Sequence, residues 1–210
     1  MFRAVIFDLG GVVFPSPFEA FDKYDATAGL ERGTVRALIR TSSETGAWAA
    51  LERGELTMDQ FRSALESEAQ AAGFTLDGMA LLGSFGNGPG ARPSMLTAIA
   101  RIREHGLRVG ALTNNWPAPD GRSEPNAFHS LTFDVVVESS IEGIRKPDPR
   151  IYELVLTRLG VSATEAVFLD DLGINLKPAR AFGMTTIKVV DPDAALAELE
   201  QVLGFPLREC

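Results

Sequence analysis

Cysteine is almost absent from this 210-residue chain, and the one present, Cys210, is the last residue. No disulfide can close within the chain, and no thiolate cluster can hold a metal. A reducing compartment follows, with the cytoplasm as the expectation. Histidine is nearly as scarce. His105 sits in "REHG", where a cation suits the end of a helix before a glycine cap, and His129 has no partner at ligand spacing. Neither reads as a metal ligand. Apolar runs are short, and none approaches the roughly 20 residues a membrane-spanning helix needs. The opening "MFRAVIFDLG" has the wrong order for a signal peptide, because its apolar stretch is brief and ends in an acid. Basic residues are in deficit, 20 Lys and Arg against 28 Asp and Glu, for a formal net charge of −8. Nucleic acid and anionic membranes call for a basic surface, so neither is expected as a partner. A small phosphorylated molecule stays admissible, since a few local cations or a metal reverse the field inside a cleft.

A hydrophobic fraction of 45% is enough for a sizeable core. Apolar β-branched runs alternate with amphipathic segments along most of the chain. "AVIF" (4–7), "RVGALT" (108–113), "FDVVVES" (133–139), "AVFLD" (166–170) and "TTIKVV" (185–190) read as strands. Helices are expected over "RPSMLTAIARIREHG", with Ser94 as N-cap and Gly106 as the stop, and over "DPRIYELVLTRLG", "NLKPARAFG" and "DPDAALAELEQVLG". This alternation implies βαβ units and an α/β doubly wound parallel sheet of Rossmann type. One stretch breaks the rhythm. Between "PSP" (15–17) and "GNGPGARP" (86–93) only helical patterns occur. The expected organisation is a core of residues 1–16 and 87–210 with a helical cap, 17–86, inserted after the first strand.

In open parallel sheets, ligands bind beyond the carboxyl ends of the strands. Asp8 ends the first strand, Thr113 with Asn114 and Asn115 ends the second, Lys146 follows the third, and Asp170 with Asp171 ends a later one. Each alone has an ordinary reading as a turn, a cap or a surface loop. Four such groups in one chain, each at a strand's carboxyl end, point to a shared site.

Asp8, Thr113, Lys146 and Asp171, in that order, resemble the four motifs of the haloacid dehalogenase-like (HAD) superfamily of hydrolases. "ALTNNW", "GIRKPDPRIYELVLTRLG" and "FLDDLGINLKPARAFGMTTIKV" resemble in particular the phosphatase-like N-terminal domain of soluble epoxide hydrolase and the related domain of an acyl-CoA dehydrogenase-family fusion protein. The resemblance implies a phosphatase with a carboxylate nucleophile, Asp8, that takes the phosphoryl group of a small phosphorylated substrate. It implies Mg²⁺ held by Asp8, the Gly10 carbonyl and Asp171. It assigns Lys146, Thr113, Asn114 and Asn115 to the phosphoryl oxygens, and Asn175 to a water on the metal. Asp170 has two readings, orienting Lys146 or a structural acid. A homodimer is a further expectation from the family.

One position departs from that pattern. Phosphatases of the superfamily usually carry a second aspartate two residues after the nucleophile, to protonate the leaving oxygen; here it is Gly10. A positioned acid is typically worth about 10²–10⁴-fold. Three readings stay open: substrates with good leaving groups such as acyl or anomeric phosphates, a substitute such as Glu52 from the cap, or a silent module that binds without turnover. Dehalogenation is the weaker enzyme reading, because that branch has an aromatic residue where this chain has Gly10. Trp48 and Arg53 of the cap could face the site, or Trp48 could pack in the cap's own core.

Overall fold

The computed structural model describes residues 1–42, 44–84, 90–117 and 132–208. The first strand, β1 (Ala4–Phe7), is buried at all four positions, as an unbroken apolar run in a parallel sheet must be. It sits at the centre of a five-stranded sheet of order β3-β2-β1-β4-β5, formed with β2 (Arg108–Thr113), β3 (Val135–Glu138), β4 (Ala166–Asp170) and β5 (Thr185–Lys188). Every pairing is parallel. The chain winds outward from β1 through β2 to β3, then crosses back to β4 on β1's other side. The carboxyl ends of β1 and β4 therefore flank the point where the winding reverses, the place where such sheets leave a crevice.

The side chains of β1 alternate between two layers. Val5 and Phe7 pack with Met95, Ile99 and Ile102 of one helix (Pro93–Glu104) and with Leu196 and Leu199 of another (Pro192–Leu203). Ala4 and Ile6 face Ile151, Tyr152 and Val155 of a helix over Pro149–Leu159, and Leu176 and Ala179 of a helix over Gly173–Ala181. Between β1 and the Pro93–Glu104 helix lie five helices: α1 (Pro17–Thr27), α2 (Thr34–Thr41), α3 (Ala47–Glu52), α4 (Met58–Ala71) and α5 (Gly78–Gly83). They enclose their own apolar centre of Phe21, Tyr24, Val35, Trp48, Leu51, Phe61, Leu65 and Leu81. The α4 start is fixed by reciprocal bonds between Thr57 and Gln60, a capping box. The later helices continue the numbering as α6 (Pro93–Glu104), α7 (Ser139–Glu142), α8 (Pro149–Leu159), α9 (Gly173–Ala181) and α10 (Pro192–Leu203). No helix among the described residues is long and apolar enough to cross a membrane.

Several element ends differ from the sequence reading. Arg92, and not Ser94, is the N-cap of α6, because Pro93 takes the first helical position, where its fixed φ and missing N–H cost nothing. The third strand stops at Glu138, and Ser139 opens α7, whose Ser140 is tied to the end of β2. His105 caps α6 as expected, its ring 2.9 Å from the Arg101 carbonyl and stacked on Phe205. His129, Cys210 and the boundary between 86 and 87 lie outside the described residues.

Candidate active site

Lys146 is the hub. Its ammonium is buried, 2.9 Å from Asp8 Oδ1 and 2.7 Å from Asp170 Oδ2. Asp8 arrives from the end of β1, where its backbone N–H still bonds to the Leu169 carbonyl of β4. Asp170 is the last residue of β4, so the two adjacent strands deliver the two carboxylates to one cation. Asp8 Oδ1 also takes the Leu9 N–H at 2.7 Å, whereas Oδ2 accepts nothing from any described residue. Asp170 is fully committed: Oδ1 accepts from Leu172 N at 2.8 Å and Asn175 Nδ2 at 3.0 Å, and Oδ2 accepts from Lys146. The 2.7 Å contact to Lys146 accords with the reading in which Asp170 orients that cation.

Asp171 completes the group. One carboxylate oxygen from each of Asp8, Asp170 and Asp171 lies within 4.8 Å of the others. Gly11 makes room for Asp171. Its φ of +80° favours glycine, and the Cβ of any other residue would fall on the Asp171 carboxylate. Gly10, by contrast, has an ordinary backbone, and a Cβ there would meet only Pro17, at 3.4 Å. Glycine at position 10 is therefore no demand of the fold.

Three acids and one ammonium in a buried place leave negative charge in excess. Burial pushes the Asp8 carboxyl well above the ordinary range; Lys146 works against that, and Asp170 and Asp171 add to it. Burial and the neighbouring Asp170 push Asp171 up to about 6. Burial alone would lower Lys146, but Asp170 and Asp8 outweigh it and hold the ammonium above its usual value. A hard divalent cation fits this place on two counts: it balances the surplus charge, and the donors on offer are carboxylate and carbonyl oxygens.

Three of the expected site amides make bonds to the protein. Asn114 Nδ2 donates to the Lys146 carbonyl at 3.1 Å and to Glu52 Oε2 at 3.4 Å, and Oδ1 accepts the Lys146 N–H at 2.8 Å. It pins the loop that carries Lys146. Asn115 ties β2 to the start of α7, with Nδ2 on Glu138 and Oδ1 taking Ser140 N and Oγ. Asn175 also holds Asp170, its amide nitrogen 3.0 and 3.1 Å from the two carboxylate oxygens. Thr113 is buried, and among the described residues its hydroxyl makes only a 3.5 Å contact to the Asn114 carbonyl.

Trp48 packs edge-to-face on Phe21 and Phe61 in the cap's own centre. Arg53 turns to Glu55 and the Glu44 carbonyl. Glu52, the candidate substitute acid, accepts from three donors: Trp48 Nε1 at 2.9 Å, Arg145 Nε at 2.7 Å and Asn114. Burial raises its carboxyl and Arg145 opposes that. All three donors favour the ionised form of Glu52, against the pull of burial. Two supporting groups escaped the sequence reading. Arg145, immediately before Lys146, is the partner of Glu52, and Tyr152 donates its buried hydroxyl to the Asn175 carbonyl at 2.7 Å. The only signal was the place of Tyr152 on the apolar face of its helix, which cannot tell a phenol that packs from one that supports a site.

A doubly wound sheet with a helical insertion after its first strand thus carries an Asp–Lys–Asp group at its switch point. The model of the haloacid dehalogenase-like hydrolases matches residues 2–183, and the chain belongs to that family. It is 43% identical to acyl-CoA dehydrogenase family member 10 of Mus musculus over 98% of this chain, and 34% identical to bifunctional epoxide hydrolase 2 of Sus scrofa over 98%. The chain spans only 20% and 39% of those two proteins. A sesquiterpene phosphatase of Aspergillus oryzae is 33% identical, with 97% of each chain covered. Among solved structures, a HAD-family enzyme of Bacteroides thetaiotaomicron, in complex with magnesium and inorganic phosphate, superposes with a TM-score of 0.63 at 19% identity, covering 90% of this chain and 94% of that one.

Proposed function

We propose that this hydrolase is a Mg²⁺-dependent phosphatase that acts on a small phosphorylated metabolite through an aspartyl-phosphate on Asp8. The observation that carries the reading is the buried group at the switch point, where Lys146 holds Asp8 Oδ1 and Oδ2 has no donor among the described residues. In the first step Asp8 Oδ2 bonds to phosphorus while the bond to the leaving oxygen breaks, and that oxygen departs with the electron pair. Mg²⁺, held by Asp8, the Gly10 carbonyl and Asp171, would neutralise phosphoryl charge that otherwise repels a carboxylate. Lys146 meets the same charge from the other side, fixed there by Asp170. The Thr113 hydroxyl, with only its 3.5 Å backbone contact among the described residues, is available to donate to a phosphoryl oxygen. In the second step water displaces phosphate from Asp8 and restores the carboxylate.

With Gly10 in place of an acid, no carboxyl stands two residues after Asp8 to protonate the leaving oxygen, and Glu52 already accepts from three donors. The preferred substrates are therefore those whose leaving group departs as a stable anion, acyl phosphates and anomeric sugar phosphates. The likeness to a sesquiterpene phosphatase along nearly its full length supports phosphate chemistry over dehalogenation. The competing reading is a silent module that binds without turnover, and Gly10 is the observation that favours it.

The test is phosphate release from a panel of acyl phosphates and phosphate esters, with Mg²⁺ or with chelator. Metal-dependent release that vanishes in Asp8→Asn is the expected result. Ligand binding with no release from any substrate would instead favour the silent module.

A further inference from the structure

Glu52 joins cap and core, beside a longer Arg145–Glu44 ion pair at 4.0 Å and a Trp48–Trp116 ring contact. Glu52 ends α3 and is 6% exposed. On the cap side it takes the Trp48 indole N–H at 2.9 Å; on the core side it takes Arg145 Nε at 2.7 Å and Asn114 Nδ2 at 3.4 Å. Both core partners lead to Lys146. Arg145 is its chain neighbour, and Asn114 grips its backbone from both sides, at 2.8 Å to the N–H and 3.1 Å to the carbonyl. Two residues beyond Glu52 the cap presses on the core again. Gly54 has φ +69°, and any Cβ there would fall on the Ser140 carbonyl. Ser140 is in turn held by Asn115. The end of α3 thus bears on the two loops that Asn114 and Asn115 tie to the end of β2.

We propose that Glu52 is a positioning residue: through Arg145 and Asn114 it makes the placement of Lys146 depend on the cap being seated. The role deepens the phosphatase reading and rests on it for what Lys146 does, though not for where Lys146 is. Lys146 has no slack, with its ammonium held by two carboxylates at 2.9 and 2.7 Å in a fully enclosed place. A displacement of about 1 Å in such a group can cost about 10²-fold in rate. When the cap lifts to admit substrate, Glu52 leaves with it. Arg145 then loses its buried partner, and Asn114 loses the contact that holds its amide against the Lys146 carbonyl. Seating the cap restores both, so the cation is aligned only when water is excluded. A cap that merely sits on the core by an ion pair would leave Lys146 indifferent to Glu52.

The two cases separate in the full chain labelled with [13Cε]lysine. It contains four lysines, so the Lys146 signal is assigned by its disappearance in Lys146→Arg. The variants are Glu52→Gln on the cap and Arg145→Gln on the core, with Arg32→Ala as control, since among the described residues Arg32 bonds to Asp22 of the cap. The expected result is a shifted or broadened Lys146 signal in both Gln variants and an unchanged one in the control. With acetyl phosphate as probe, kcat should fall up to about 10²-fold while KM moves by less than about threefold. A Lys146 signal identical to wild type in both Gln variants overturns the proposal, whatever happens to melting temperature. If Glu52→Gln does not fold, Arg145→Gln decides alone. If the wild type releases no phosphate, the phosphatase reading fails, and the lysine spectra still decide whether Glu52 positions Lys146.

Discussion

Position 10 separates what the fold requires from what the chemistry requires. Gly11 is held to glycine by a positive φ and by the Asp171 carboxylate against it. Gly10 is under neither constraint, and its nearest would-be contact is Pro17 at 3.4 Å. Gly10→Asp should therefore fold, and it restores an acid at the position where relatives in this superfamily keep one. Turnover of esters with poor leaving groups is expected to rise, by up to about 10²–10⁴-fold if proton transfer limits the rate. Acyl phosphates, whose leaving groups need no proton, should gain little. Steady-state kinetics on an alkyl phosphate and an acyl phosphate make the comparison. An equal response of the two substrates in a folded variant would show that the missing acid is not the limitation.

At the scale of elements, the site stands on a relay from helix to strand end. Tyr152 of α8 donates to the Asn175 carbonyl in the first turn of α9; Asn175 holds Asp170, and Asp170 holds Lys146. Tyr152→Phe removes one buried hydrogen bond, at a cost of about 0.5–1.5 kcal/mol. Denaturant unfolding should show that loss, and an unchanged midpoint would mean that water replaces the phenol. The strands were legible because buried β-branched runs have few other fates, and Asp8, Thr113, Lys146 and Asp171 were legible because each follows a strand. The ends of elements were less so. A serine after Pro93 looks like a cap until the proline claims the first turn, and the third strand is cut short where Ser140 is tied to β2. The loop contacts of Asn114 and Asn115 were not legible for a physical reason: an Asn-Asn turn has the same composition whether its amides face a ligand or a neighbouring loop. The Glu52–Arg145 contact joins residues 93 positions apart, and no periodicity announces such a pair.

For the whole molecule, the surplus of buried negative charge sets a pH dependence. Asp171 has its carboxyl raised from 3.8 to about 6. A group raised on folding contributes stability that is fully present below its unfolded value and lost as the pH passes through the folded one. Without metal, that contribution is lost as the pH rises from about 4 through about 6. A bound divalent cation favours the ionised form, so added Mg²⁺ should stabilise strongly at about pH 7.5 and weakly at about pH 5. At a hundredfold excess over Kd the gain is about 2.7 kcal/mol, roughly 5–10 °C in Tm for a chain of this length. Thermal melts with Mg²⁺ or chelator at the two pH values measure it. A Mg²⁺ effect of the same size at both would contradict the charge argument.

The central claim is that Asp8 carries the phosphoryl group. Acid quench of the protein during turnover of acetyl phosphate, followed by tryptic digestion and mass spectrometry, tests it most directly. The account predicts a hydroxylamine-sensitive phosphoryl group on Asp8, in the peptide 4–23. Phosphate release in a steady state that leaves this peptide unmodified would contradict it.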